Sequence, residues 1–220
     1  MLKSIKPLHL VLAALCAALM GCASVTPVAY SGLASAPYLR PNSQDDSGRV
    51  PYRFAPQTEW QKYTKLIIDP VTIYQGADNQ FGDMQDADKA ALASYMQTEF
   101  AEKLRTRFEP ATQAGAGTLR LKLILTGAKT STPVLSTFSR FDIAGSLYNV
   151  TQTVRGKEGA FTGSVIYAVE IYDSSSNRML SAYVTKQYPN PYNIGASFGS
   201  LSASKTGIEK GADALVAQFK

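Results

Sequence analysis

Histidine and cysteine are almost missing from this 220-residue chain. The one histidine is His9 and the two cysteines are Cys16 and Cys22, so neither residue type occurs after position 22. Beyond that point no Ser–His–Asp or Cys–His constellation can form, and no His/Cys cluster can hold zinc. No disulfide can form there either, so in an oxidising compartment the core must hold the fold together. Long apolar runs are scarce as well. After the first two dozen residues nothing approaches the roughly 18 apolar residues of a membrane-spanning helix. Charge is sparse, at 18% of residues, and the net charge of +5 drops to +3 once Lys3 and Lys6 are set aside. So mild an excess describes a solvated mixed surface and gives no reason to expect a nucleic-acid partner. What remains is ordinary: 45% hydrophobic residues, and a length that suits one domain with flanking segments.

The N-terminus is an address. Lys3 and Lys6 precede the apolar run "LHLVLAALCAALM", Leu8 to Met20. A basic start and about a dozen apolar residues make a secretory signal peptide, too short to span a bilayer comfortably. Leu19, Met20, Gly21 and Cys22 follow one another at its end. This resembles the lipobox of bacterial lipoproteins, with Met20 at the permissive position. The resemblance implies cleavage between Gly21 and Cys22, a diacylglycerol on the Cys22 thiol, and a palmitate-type acyl chain on the new amino group. One acyl chain holds a protein marginally, whereas several hold it durably, at about 0.8 kcal/mol per buried methylene. Ala23 stands where an Asp would resemble an inner-membrane retention signal, which favours the outer membrane over the inner.

From Ala23 to about Gln61 the composition shifts to Ser, Gln, Asp and five prolines: Pro27, Pro37, Pro41, Pro51 and Pro56. Proline at this density interrupts ladders and helices. We therefore expect residues 1–21 to be a signal peptide, 22–61 a lipidated tether, and 62–220 a single domain. The tether's tyrosines and Trp60 are expected to pack onto that domain.

"KLIIDPVTIY", Lys65 to Tyr74, reads as a strand, with Pro70 marking an edge or a bulge. Asp83, Asp86 and Asp88 come next. Three close carboxylates suit a hard cation, but the glycine pattern of a calcium loop is missing and a helix follows, so we read them as helix-capping acids. No metal or other cofactor is expected. The helix spans about Asp86 to Phe108, with Leu92, Tyr95, Met96, Phe100, Leu104 and Phe108 along one apolar stripe, and Pro110 beyond its end. "QAGAG", Gln113 to Gly117, is a loop and not a dinucleotide fingerprint, since a strand follows it. That strand, "TLRLKLIL", sends Leu119, Leu121, Leu123 and Leu125 to one side and Arg120 and Lys122 to the other.

Residues 127–160 show no clean period. A stretch this long inside a compact domain is often functional, and it carries Phe138, Arg140, Phe141 and Tyr148 as a candidate partner surface. Phe161 to Asp173 and Arg178 to Tyr188 are two strands joined by "SSSN", expected to form an antiparallel hairpin. Val165, Tyr167, Val169 and Ile171 share one face. Glu170 lies on the other face among Ile166, Ala168 and Tyr172. A lone carboxylate without an acid–base partner is a poor catalyst, and pairing with Arg120 or Lys122 is the expectation. A final helix runs from about Ser202 to Phe219, burying Ile208, Ala212, Leu215, Val216 and Phe219.

The element order predicts an α+β fold: a mostly antiparallel sheet of four to five strands with two main helices packed on one face. "YSGLASAPYLRP", "YTKLIIDPVTIY" and "VEIYDSSSNRMLSAYV" resemble blocks of the bacterial lipoproteins grouped as DUF3313, with Ser175 to Asn177 in place of that family's more usual Thr-Gly turn. The resemblance implies location and fold type and assigns no catalytic residue. The expectation is a non-enzymatic envelope lipoprotein at the outer membrane, facing the periplasm. It would act as a binding or assembly module whose partners are the membrane, through its anchor, and another envelope protein. The alternatives are an envelope hydrolase using carboxylates or a Ser/Lys pair, and an accessory subunit of an envelope transport system.

Overall fold

The computed structural model describes residues 25–131, 163–190 and 199–219. In these the chain forms one mixed sheet, two long helices on one of its faces, and an irregular N-terminal layer on the other. The strands are β1 (Arg40–Pro41), β2 (Tyr52–Phe54), β3 (Lys65–Ile68), β4 (Thr72–Ile73), β5 (Glu109–Pro110), β6 (Thr118–Lys129), β7 (Ser164–Asp173) and β8 (Met179–Gln187). The helices are α1 (Asp86–Leu104) and α2 (Ser202–Gln218), and a short 3-10 turn covers Trp60–Lys62. The spatial order is β1-β2-β8-β7-β6-β3-β5, with β4 also on β6.

This is α+β with two helices and a mostly antiparallel sheet, as expected, but the sheet has eight strands where four to five were expected, and it is mixed, with parallel pairs beside the antiparallel ones. Two causes stand behind the difference. The passage from β3 through α1 to β6 is a crossover, and a long crossover returns the chain parallel: β3 pairs parallel to β6, and β5 parallel to β3. In addition, the Pro-rich segment contributes β1 and β2, and β2 adds antiparallel to β8. Pro110 does not simply end a helix. It sits in β5 at the sheet edge, opposite Leu66, where a missing N–H is harmless.

Pro70 does mark a break. β3 and β4 both run along β6, Ile68 opposite Leu121 and Thr72 opposite Ile124, so one residue is extra between them. The chain bulges out at Asp69 to Val71, and the Val71 N–H bonds to Gln97 Oε1 of α1 at 2.8 Å. The central hairpin β7–β8 forms as expected, with Glu170 opposite Ala182 on β8 and opposite Lys122 on β6.

The helical face holds the main core. Leu92, Met96 and Phe100 of α1 and Ile208, Ala212 and Leu215 of α2 meet Leu119 to Leu125 and Val165 to Ile171 at alternate positions. The opposite face carries Ile166, Ala168, Ala182 and Val184, and it is covered by Tyr30, Leu33 and Leu39 of the N-terminal layer. With both faces covered, β7 and β8 are buried almost throughout, which is why their period-2 pattern is weak in the sequence.

The described part of the Pro-rich segment is therefore built into the fold. Tyr30 is 1% exposed despite its positive φ of 49°, a strained setting for a bulky residue. Trp60 packs edge-on against Phe219 at 5.1 Å, as expected of it. Attachment begins at the first described residue: the Val25 carbonyl accepts a hydrogen bond from Lys186 Nζ at 2.8 Å.

Candidate functional site

The N-terminal layer is fastened to the sheet by a polar clasp. Asp78 accepts from the Ser31 N–H at 2.9 Å and from the Tyr74 hydroxyl at 2.7 Å. The Tyr74 oxygen in turn accepts the Gly32 N–H at 2.9 Å. The Tyr30 hydroxyl donates to Gln80 Oε1 at 2.6 Å, and the Tyr30 ring meets the Tyr74 ring edge-on at 5.4 Å. Burial pushes the Tyr30 phenol up to about 12. The Ser31 N–H, followed by the Tyr74 hydroxyl, holds the Asp78 carboxyl below its ordinary value. Glycine is required on both sides of Tyr74. A Cβ on Gly76 would lie 2.2 Å from its oxygen, and one on Gly32 would lie 2.9 Å away.

A second fastening lies deeper. Glu170 is 2% exposed, and it accepts the Ser35 N–H at 2.8 Å and the Tyr172 hydroxyl at 2.7 Å. Burial, followed by the Glu170 hydrogen bond, raises the Tyr172 phenol well above its usual value.

Between these fastenings the layer leaves the sheet open. A cleft of about 750 Å³ is lined by Gly32 to Ala34 on one side, by Asp69 to Gly76 around the strand break on the other, and by Lys122 to Ile124 of β6 together with Glu170. This volume is within the range of about 300–1,000 Å³ usual for small-molecule sites. Much of the lining is apolar: Leu33, Pro70, Ile73 and Ile124. Three charged residues reach it. Asp69 Oδ1 lies 3.5 Å from Arg120 Nε. Glu170 is engaged as described. Lys122 makes no hydrogen bond or ion pair among the described residues, and its Nζ sits 5.3 Å from the Tyr172 ring centre, within cation–π range.

The expected pairing of Glu170 with Arg120 or Lys122 is thus not what forms. Lys122 is its register partner, but Ser35 and Tyr172 take its oxygens, and Arg120 turns to Asp69. Asp86 and Asp88 occupy the first turn of α1, the electropositive end of the helix, while Gln85 is the N-cap and makes no side-chain cap bond. Asp86 also pairs with Lys89 at 2.9 Å. Among the described residues no group of three or more His, Cys, Asp or Glu side chains is placed to hold a metal ion. Gly21 and Cys22 lie outside the described residues, as do Phe138, Arg140, Phe141 and Tyr148. The cleft itself was not anticipated. Its signals were the isolated apolar residues Tyr30, Leu33 and Leu39 among the prolines, and the Asp-Pro break in an otherwise clean strand.

The conserved-domain description "Protein of unknown function (DUF3313)" matches residues 29–215, from the N-terminal layer through α2. The chain belongs to the DUF3313 family. The match begins inside the segment that covers the second sheet face, so the layer that walls the cleft is part of the DUF3313 unit. No curated protein matches the chain. Among solved structures, the PelC dodecamer from Paraburkholderia phytofirmans is similar at 11% identity. That match covers 72% of this chain and 92% of PelC, with a TM-score of 0.36. A substituted form of the same dodecamer is similar at 12% identity over 72% of this chain and 89% of that one, with a TM-score of 0.37. Likeness at this level carries no argument about function or assembly for this DUF3313 protein.

Proposed function

We propose that this DUF3313 protein is a lipid-anchored envelope protein, acylated at Cys22 and held at the outer membrane facing the periplasm. Its folded domain is a non-enzymatic binding module. The observation that carries the binding reading is the cleft: it has the size of a small-molecule site, apolar walls, and a buried acid, Glu170, already held by two protein donors, while Asp69 faces Arg120. Each Glu170 oxygen accepts from a protein donor in a buried position, which leaves it poorly placed to reach a substrate and disfavours a role for it in acid–base chemistry. Among the described residues, no helix is long and apolar enough to cross a membrane. The attachment we propose is through the lipobox at Leu19 to Cys22, with the lipid on Cys22.

Two measurements in cells test the reading. Labelled palmitate should enter the wild-type chain and not Cys22→Ser. A photo-crosslinking residue at Ile73, in the cleft, should trap a bound molecule, while the same residue at exposed Thr98 on α1 traps none. Label retained in Cys22→Ser would remove the anchor assignment. Equal trapping from both positions, or none from Ile73, would remove the cleft.

A further inference from the structure

Resting on that binding reading, we propose that the cleft takes an amphiphile with a single anionic headgroup, its head at Lys122 and its apolar body along Leu33, Ile73 and Ile124. Lys122 is the cleft's uncommitted charge. The Asp69 carboxylate faces Arg120 at 3.5 Å, and both Glu170 oxygens are taken by the Ser35 N–H and the Tyr172 hydroxyl. A cationic head would therefore compete with Arg120 for Asp69 and find Glu170 already satisfied. A neutral sugar would find few free partners: the Tyr74 hydroxyl bridges Gly32 and Asp78, and Gln75 Nε2 turns back to the Ile73 carbonyl at 3.3 Å. An anion at Lys122 gains a charge-assisted hydrogen bond in a half-buried setting. The Tyr172 ring, 5.3 Å from the ammonium, gives Lys122 a cation–π contact that limits its swing without using its N–H donors. The apolar walls need a tail to cover them, since a small hydrophilic anion would leave Leu33, Ile73 and Ile124 wet.

Binding is measured by calorimetry on the full chain in nanodiscs of phosphatidylcholine, with empty discs as the blank. The probes are decyl phosphate, decyl glucoside and decyltrimethylammonium. Decyl phosphate should saturate at one per chain, and the other two should bind at least tenfold more weakly. Lys122→Met should weaken decyl phosphate at least tenfold, Ile73→Trp should abolish saturable binding by filling the cleft, and Lys65→Met, exposed on β3, should change nothing. Lys122→Gln provides a second variant if Lys122→Met fails to fold. Discs containing phosphatidylglycerol identify the source of the headgroup: competition assigns it to a bilayer lipid, undiminished binding to a free amphiphile. Equal affinity for the three headgroups, or indifference to both Lys122 replacements in folded protein, overturns the proposal. If decyl phosphate fails while Ile73 still traps a molecule in cells, the ligand class is wrong and the binding reading stands.

Discussion

Tyr30→Ala tests whether the Pro-rich segment is part of the fold. Tyr30 is 1% exposed, lies edge-on to Tyr74, and donates to Gln80 at 2.6 Å. Truncating a buried aromatic to alanine costs about 3–5 kcal/mol. The lost hydroxyl adds about 1 kcal/mol, partly within that range because Gln80 can turn toward solvent. We therefore expect a loss of about 4–5 kcal/mol, a substantial share of the roughly 5–15 kcal/mol that holds a domain together. With a urea slope of about 2 kcal/mol/M, the midpoint falls by about 2 M. Tyr30→Phe keeps the ring and loses only the hydrogen bond, so its midpoint falls by about 0.5 M. The natural probe is the fluorescence of Trp60, which packs on Phe219 by the helical face, across the sheet from the substitution. A loose tether would behave as a surface site, within about 0.5 kcal/mol for either variant. A shift that small for Tyr30→Ala would refute the packed layer.

Asp173 accepts from the hydroxyls and N–H groups of Ser175 and Ser176 in the β7–β8 turn and from the Tyr63 hydroxyl, and these donors, the Ser175 hydroxyl first, hold its carboxyl well below the ordinary 3.8. A depressed carboxylate stabilises the fold above its unfolded value and loses that contribution as pH falls, so Asp173→Asn should cost roughly 1–2 kcal/mol at pH 7 and progressively less below about pH 4. A pH-independent gap in unfolding midpoint would contradict this. Gly211→Ala should cost about 1–3 kcal/mol, because its Cβ would lie 1.7 Å from the Tyr167 hydroxyl. That hydroxyl is buried and has no hydrogen-bond partner among the described residues, so Tyr167→Phe alone should be neutral or stabilising, and the double variant should recover most of the loss. Strictly additive unfolding energies would refute the contact.

The legible parts of the fold were those with a single strong period. The stripes of α1 and α2 and the leucine alternation of β6 depend on one wet face and one dry face, and each appeared within a few residues of its expected limits. The predicted α1 overran its observed end at Leu104 because Phe108 is buried in the turns that follow. The mixed sheet was harder to read because strand direction is set by the crossover and leaves no mark in composition. β1, β2 and β5 are two or three residues long, two of them contain proline, and all are defined by their partners more than by their own sequence. The same holds for the cleft. Glu170 was conspicuous as an acid among apolar neighbours, but its actual partner, the Ser35 N–H, is a backbone group 135 positions away. Lys122 looked like any basic residue on a solvated face, and that face turned out to be roofed.

The bond between Lys186 and the Val25 carbonyl sets a limit on the proposed lipid anchor. Three peptide units separate Cys22 from Val25, and an extended chain covers about 3.3–3.6 Å per residue. If acyl chains are seated at Cys22, the leash is at most about 11 Å, shorter than the bilayer's hydrocarbon core is thick. The domain would then ride against the lipid headgroups with a restricted tilt, unable to reach across the periplasmic gap. Whatever enters its cleft would have to arrive from the membrane surface or from a partner that comes down to meet it there.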